Sequence, residues 1–217
     1  LLHRRTERRE LQCRRMLGFY ARRPRATLFD SWMFGAACLP CECGIPKTGG
    51  AFSLPHAAVF KMKLILMRHT QAEWGFGIED HERAISAKGL AEAGRLGLWL
   101  TENYHPPPSH ALISNANRTQ QTFAALDLTC TAAVLPELYL APPEGLLLAV
   151  QNRETDCLLV LAHNPGIAEL AVEMATQEPT HPRFYDYPPG ATFVLDCDVK
   201  TTTGRVINFI TPDDLLT

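Results

Sequence analysis

Several features that would settle the class of this chain at once are missing from its sequence. No run of about 18 consecutive apolar residues occurs, so no transmembrane helix, and no membrane partner, is expected. No glycine-rich phosphate loop ending in lysine is present, which argues against nucleotide binding of that type. No His-Glu-x-x-His pattern is present either, which argues against a zinc hydrolase. The net charge is only −2, short of the positive excess that a general nucleic-acid binder carries. The seven cysteines have neither the even count nor the regular spacing of a disulfide framework, which favours reduced thiols and a cytosolic setting. Cys38, Cys41 and Cys43 could supply three zinc ligands, but no fourth ligand of matching spacing follows, and they read as incidental.

What is present divides sharply. At 217 residues the length suits one domain with an extension better than two full domains. Residues 1–61 hold nine Arg and two Lys against three Glu and one Asp, a net of +7, which leaves −9 for residues 62–217. An Arg-rich, acid-poor arm fits an organellar transit peptide, a basic arm for acidic partners, or residues that precede the true start. The last is the expectation here, because Met62 sits immediately before the first convincing strand. Residues 35–56 are dense in Gly, Pro and Cys and have no amphipathic period, so the extension is expected to lack stable structure and to contribute no chemistry.

From Lys63 onward the pattern is regular. The apolar runs Lys63–Met67, Ala111–Ile113, Ala132–Leu135 and Cys157–Ala162 predict buried strands. Ser86 is a candidate N-cap for a helix over 87–103, with Leu90, Ala93, Leu96 and Leu100 on its buried face and Pro106, Pro107 and Pro108 stopping it. Further helices are predicted over 118–126, 143–152 and 165–176, and a final hairpin over 192–197 and 206–210. Strands that alternate with helices imply an α/β sheet covered on both faces, whose ligand site lies at the carboxyl ends of its strands. Three polar groups follow the strand runs: Arg68 with His69, Ser114 to Arg118, and His163 with Asn164. They should meet on one sheet edge.

These groups bring arginines and histidines together without an acidic metal-binding cluster. That chemistry suits an anion, most of all phosphate. Arg68 and Arg118 can each grip phosphoryl oxygens through a planar fork, and His69 and His163 can donate or attack. Each residue taken singly has a bland reading, as a solvated helix arginine or a satisfied surface histidine. Three such groups at strand-to-helix junctions are harder to explain that way.

The motifs also carry a family resemblance. Leu64 to Trp74, with Arg68-His69-Thr70 at its centre, resembles the Arg-His-Gly signature of the histidine phosphatase superfamily. Ser114-Asn-Ala-Asn-Arg118-Thr119-Gln-Gln-Thr122 resembles its Ser-x-Ala-x-Arg-Thr-x-Gln-Thr motif. Leu161-Ala-His163-Asn-Pro-Gly166 and the ending Ile207 to Leu215 are similar to SixA-like phosphohistidine phosphatases. The resemblance runs from Met62 to about Leu215. It implies a three-layer α/β/α sandwich with a mostly parallel central sheet, phosphoglycerate mutase-like and without a lid subdomain. It implies His69 as the nucleophile, Arg68, Arg118 and His163 as the grip on the phosphoryl oxygens, and no metal or other cofactor. It places Glu137 where the family carries its general acid, although a surface glutamate at a strand end fits that position equally well. Thr70 departs from the usual small residue, and its hydroxyl is a candidate phosphate donor.

Only 26 positions separate Glu137 from His163, too few for a helix, a strand and a lid insertion. An open pocket favours phosphohistidine on a signalling or phosphotransfer protein as the substrate. A small phosphoester is the alternative, and a non-catalytic phosphate-binding module is the alternative of another class. Asp80 and Arg83, in the loop after the first motif, either border the pocket or merely pair with each other, and a structural role is the expectation.

Overall fold

The computed structural model describes residues 61–75, 77–151, 153–198 and 202–216. The Arg-rich arm, with Cys13, Cys38, Cys41 and Cys43, and the boundary expected at Met62 as the start of the native protein lie outside what those residues can address.

Six strands form one sheet: β1 (Lys61–Arg68), β2 (His110–Ser114), β3 (Thr131–Leu135), β4 (Cys157–Ala162), β5 (Thr192–Asp198) and β6 (Thr203–Ile210). Their order across the sheet is β3-β2-β4-β1-β5-β6. The first four in that order run parallel, while β5 pairs antiparallel with β1 and β6 antiparallel with β5. Among the described residues four α-helices accompany them: α1 (Ala87–Asn103), α2 (Asn117–Leu126), α3 (Pro143–Gln151) and α4 (Gly166–Met174).

Strand pleating sends alternate residues to opposite faces, and both faces are filled. Leu64 and Leu66 of β1 pack with Leu146 and Val150 of α3 and Ile167 and Leu170 of α4. Ile65 and Met67 pack with Leu96 and Leu100 of α1 and Leu126 of α2. The layers are therefore helices, sheet, helices, as expected. All six residues of β4 are buried, which is why its sequence is one unbroken apolar run. Between β3 and His163 the described residues hold only a 3-10 turn (Pro136–Leu138), α3 and β4, with no lid. No helix among the described residues is long and apolar enough to cross a membrane. Cys130, Cys157 and Cys197 are free thiols, and burial pushes Cys157 up to about 11 and Cys197 to about 12.

Helix α1 spans the expected residues, and Ser86 caps it by accepting from the Gly89 amide at 3.0 Å. Its buried face holds the expected Ala93, Leu96 and Leu100 but not Leu90. Leu90 is 57% exposed, and the buried set is Gly89, Glu92, Ala93, Leu96, Gly97 and Leu100. Backbone contact explains the rotation. A Cβ on Gly89 would lie 2.2 Å from the Gln71 carbonyl oxygen, so the helix touches the loop after His69 through this glycine and turns Leu90 outward. Helix α4 is shorter than expected, because Ala175 takes extended backbone and the Thr176 amide and hydroxyl both donate to the Gly204 carbonyl at 3.0 Å. The hairpin is longer at its turn end, reaching Asp198 and Thr203.

Candidate active site

The three groups named from the sequence do meet. Arg68, His69, Arg118 and His163 all line one cavity of about 660 Å³. β1 carries the first pair at its carboxyl end, α2 presents Arg118 directly after β2, and His163 follows β4. The His69 and His163 ring centroids lie 5.2 Å apart.

Hydrogen bonds fix the state of His69. Its Nδ1 lies 2.8 Å from the Thr70 carbonyl oxygen, which can only accept, so Nδ1 carries the proton. Nε2 is then the lone-pair nitrogen, and Arg118 donates its Nε–H to it at 3.2 Å. Burial, and then the charges of Arg118, Arg68 and Arg83, lower the His69 pKa to about 4 against the hold of the Thr70 carbonyl. Attack on phosphorus requires a neutral imidazole with a fixed tautomer and an unprotonated nitrogen, and the lone pair of Nε2 serves once the Arg118 N–H turns from it to a phosphoryl oxygen. The sign is testable. Protonation of Nε2 removes the nucleophile only as pH falls through about 4, so kcat/KM should hold on the acid side well below 6.5, the value for an unperturbed histidine. An acid limb near pH 6.5 would show that His69 is not kept neutral in this way.

His163 is also neutral, its pKa lowered to about 3 by burial and then by His69 and Arg118. Its Nε2 lies 2.8 Å from the Ser114 hydroxyl, and that hydroxyl oxygen accepts from the Ala116 amide at 3.4 Å. The serine proton is thus free to point at Nε2, leaving Nδ1 of His163 as an N–H donor. That Nδ1 and the Nε of Arg68 are buried without a protein partner, and both residues line the cavity. A buried donor left unpaired costs about 1–3 kcal/mol, which an anion accepting from both would recover.

The second motif is a set of fasteners. The Thr119 hydroxyl donates to the Ser114 carbonyl at 2.7 Å. The Thr122 hydroxyl accepts from the Thr70 amide at 3.2 Å and lies 3.1 Å from the Thr70 hydroxyl. The Gln121 side chain accepts from the Ile85 amide at 2.8 Å. Thr70 is fully buried and does not line the cavity, and its hydroxyl lies against Thr122 of α2. At Gly166 a Cβ would fall 1.9 Å from the Ala141 carbonyl oxygen, which fixes glycine after His163-Asn164-Pro165.

Glu137 is exposed and does not line the cavity. The same turn instead delivers Tyr139, whose ring edge meets His163 at 5.4 Å and whose hydroxyl donates to Asp80 Oδ2 at 2.7 Å. Asp80 does pair with Arg83, as expected, at 3.0 Å from its Oδ1. It also reaches the cavity and accepts from Arg118 at 3.0 Å through Oδ2, with a further bond from Arg118 to its backbone carbonyl. Tyr187 was not singled out in the sequence. It is fully buried, with φ 40°, a conformation uncommon outside glycine, and its carbonyl accepts from Arg68 at 2.9 Å and from Asn164 at 3.0 Å. The motif residues gave no hint of it, since it acts through its backbone. Among the described residues no group of three or more His, Cys, Asp or Glu side chains is placed to hold a metal ion.

A cavity that gathers Arg68, Arg118 and two neutral histidines at the carboxyl ends of parallel strands has the chemistry to hold a phosphoryl group. No family model matches the chain. It is 36% identical over 113 residues, 51% of its own length, to the uncharacterized protein Rv1276c of Mycobacterium tuberculosis, 70% of which is covered. Its fold matches a proposed phosphohistidine phosphatase SixA of Nakamurella multipartitia with a TM-score of 0.61 at 24% identity, over 70% of this chain and 96% of that one. It matches a proposed SixA of Agrobacterium tumefaciens with a TM-score of 0.57 at 25% identity, over 70% and 99%. The chain belongs to one family with Rv1276c, and it is a SixA-like member of the histidine phosphatase superfamily.

Proposed function

We propose that this phosphatase removes phosphate from phosphohistidine on a protein, through a phosphohistidine on its own His69. The Nε2 lone pair of His69 forms the bond to phosphorus while Arg68, Arg118 and His163 hold the phosphoryl oxygens. The substrate's P–N bond breaks and its electron pair returns to the leaving ring. With a proton already on the ring's other nitrogen, that ring departs as neutral imidazole. The Thr70 carbonyl keeps His69 Nδ1 protonated in the intermediate, so when water attacks phosphorus, His69 departs from it in the same neutral form.

The observation that carries the choice of substrate concerns acids. The carboxyl groups lining the cavity are Asp80, Glu92 and Asp213. Asp80 is bound to Arg118, Arg83 and Tyr139, Glu92 lies 3.6 Å from Lys88, and Asp213 is paired with Arg183. The Tyr139 hydroxyl first, then Arg83 and Arg118, hold the Asp80 carboxyl down to about 2, so it has no proton to give at neutral pH. An alkoxide leaving group needs such a proton, and general acid catalysis contributes about 10²–10⁴-fold. A protonated imidazole leaving group does not. Rates on a phosphohistidine-bearing protein and on a panel of alkyl phosphomonoesters test the reading. The protein substrate is expected to lead in kcat/KM by about 10²-fold or more. An alkyl phosphoester turned over as fast would sink it.

A further inference from the structure

Asp80 has more contacts than a bystander needs. A carboxylate offers about four acceptor positions. Three are filled: Oδ2 takes Arg118 at 3.0 Å and Tyr139 at 2.7 Å, and Oδ1 takes Arg83 at 3.0 Å. One position on Oδ1 remains, on a side chain that is 49% exposed and lines the same cavity as His69. Only the Arg118 guanidinium stands between the carboxylate and the attacking nitrogen, bonded to both. Arg83 is itself fixed, by its bond to the Glu73 carbonyl at 3.0 Å and by the Trp74 ring at 4.5 Å, so the carboxylate cannot swing freely.

We infer that Asp80 is the specificity-determining residue of this pocket: its remaining acceptor position takes an N–H of the leaving group and so selects nitrogenous, donor-bearing substrates. The inference rests on the phosphohistidine reading and deepens it, because the ring nitrogen of a phosphohistidine that does not bear phosphorus presents such an N–H. Accepting from it holds the proton on the leaving ring while the P–N bond breaks. No proton is transferred to Asp80, and the ring leaves with the proton it brought. The carboxylate stays available throughout, since its neighbours keep it ionised across the neutral range.

The test uses phenyl phosphates rather than phosphohistidine, so that the two readings fail separately. One ring carries an aminomethyl group, which is cationic with N–H donors. Another carries a trimethylammoniomethyl group, equally cationic but without a donor. The readout is the ratio of kcat/KM for the first to that for the second, which cancels any general loss of rate. On Asp80→Asn the ratio is expected to fall about tenfold, the loss of a hydrogen bond to a charged acceptor. Glu102→Gln, which removes an exposed charge on α1, should leave the ratio where it was. Asp80→Ser, smaller and equally uncharged, reads the same ratio if the Asn variant does not fold. A ratio unmoved in the folded Asp80 variant overturns the inference. Poor turnover of a phosphohistidine protein by the unaltered enzyme, with the ratio still falling in Asp80→Asn, overturns the substrate reading and leaves the role of Asp80 intact.

Discussion

Quenching the enzyme in alkali during turnover should leave phosphate bound to the peptide that carries Arg68 and His69. A phosphorus–nitrogen bond to imidazole breaks in acid, where ring protonation makes a good leaving group, and survives in alkali, where the ring stays neutral. Phosphoserine shows the opposite preference, and an acyl phosphate on a glutamate would be lost in alkali. The label should therefore be acid-labile and alkali-stable. His69→Ala should abolish it and lower turnover by on the order of 10⁴-fold or more, as loss of other covalent nucleophiles does. His163→Ala should slow formation of the label without moving it, because His163 only donates from Nδ1. Label on the peptide holding His163, or turnover that persists in His69→Ala, would refute the assignment of Nε2 of His69 as the attacking atom.

Arg118→Lys should cost about 10²–10³-fold in kcat, the range for removing one preorganised donor to developing negative charge. The charge is kept, so a loss of this size reads geometry. Arg118 is 3% exposed and its guanidinium spans three partners at once: His69 Nε2, the Asp80 carbonyl and Asp80 Oδ2. An ammonium group is a point donor on a flexible stem and cannot hold that span, let alone add phosphoryl oxygens to it. Steady-state kinetics on any turned-over phosphoester suffices. A variant within a factor of two of the parent enzyme would place Arg118 outside the transition state.

The layers and the meeting of the four candidate residues in one cavity were legible because each rests on a local pattern. An unbroken apolar run marks β4, a serine cap and a proline stop bound α1, and the strand-end rule puts Arg68, His69, Arg118 and His163 on one edge. What escaped depends on distant approach. Tyr139 meets Asp80 across 59 positions and the Tyr187 carbonyl meets Arg68 across 119, and neither contact leaves a periodic trace. On the turn after β3 the resemblance pointed to Glu137, while the contacts to Asp80 and His163 come from Tyr139, set by backbone direction rather than by residue type. Leu90 was misplaced for a similar reason. Hydrophobic spacing alone would bury it, but the glycine contact at Gln71 sets the rotation of α1.

The reversal of direction at β5 has an evolutionary side. The nucleophile and its arginine and histidine partners stand at or just beyond the carboxyl ends of parallel strands, where the sheet itself enforces their spacing. Another part of the lining, with Arg183, Pro188 and Pro189, belongs to the connection from α4 into the antiparallel strand. Most of that connection can lengthen, shorten or change composition without altering the register of β1 against β4 or β2 against β4. Its constrained points are Tyr187, whose carbonyl orients Arg68, and Gly190, whose amide donates to the His69 carbonyl at 3.0 Å. The part of the wall that this connection supplies can thus vary around its backbone bonds to Arg68 and His69, while Asp80 and the reacting groups stay with the parallel strands.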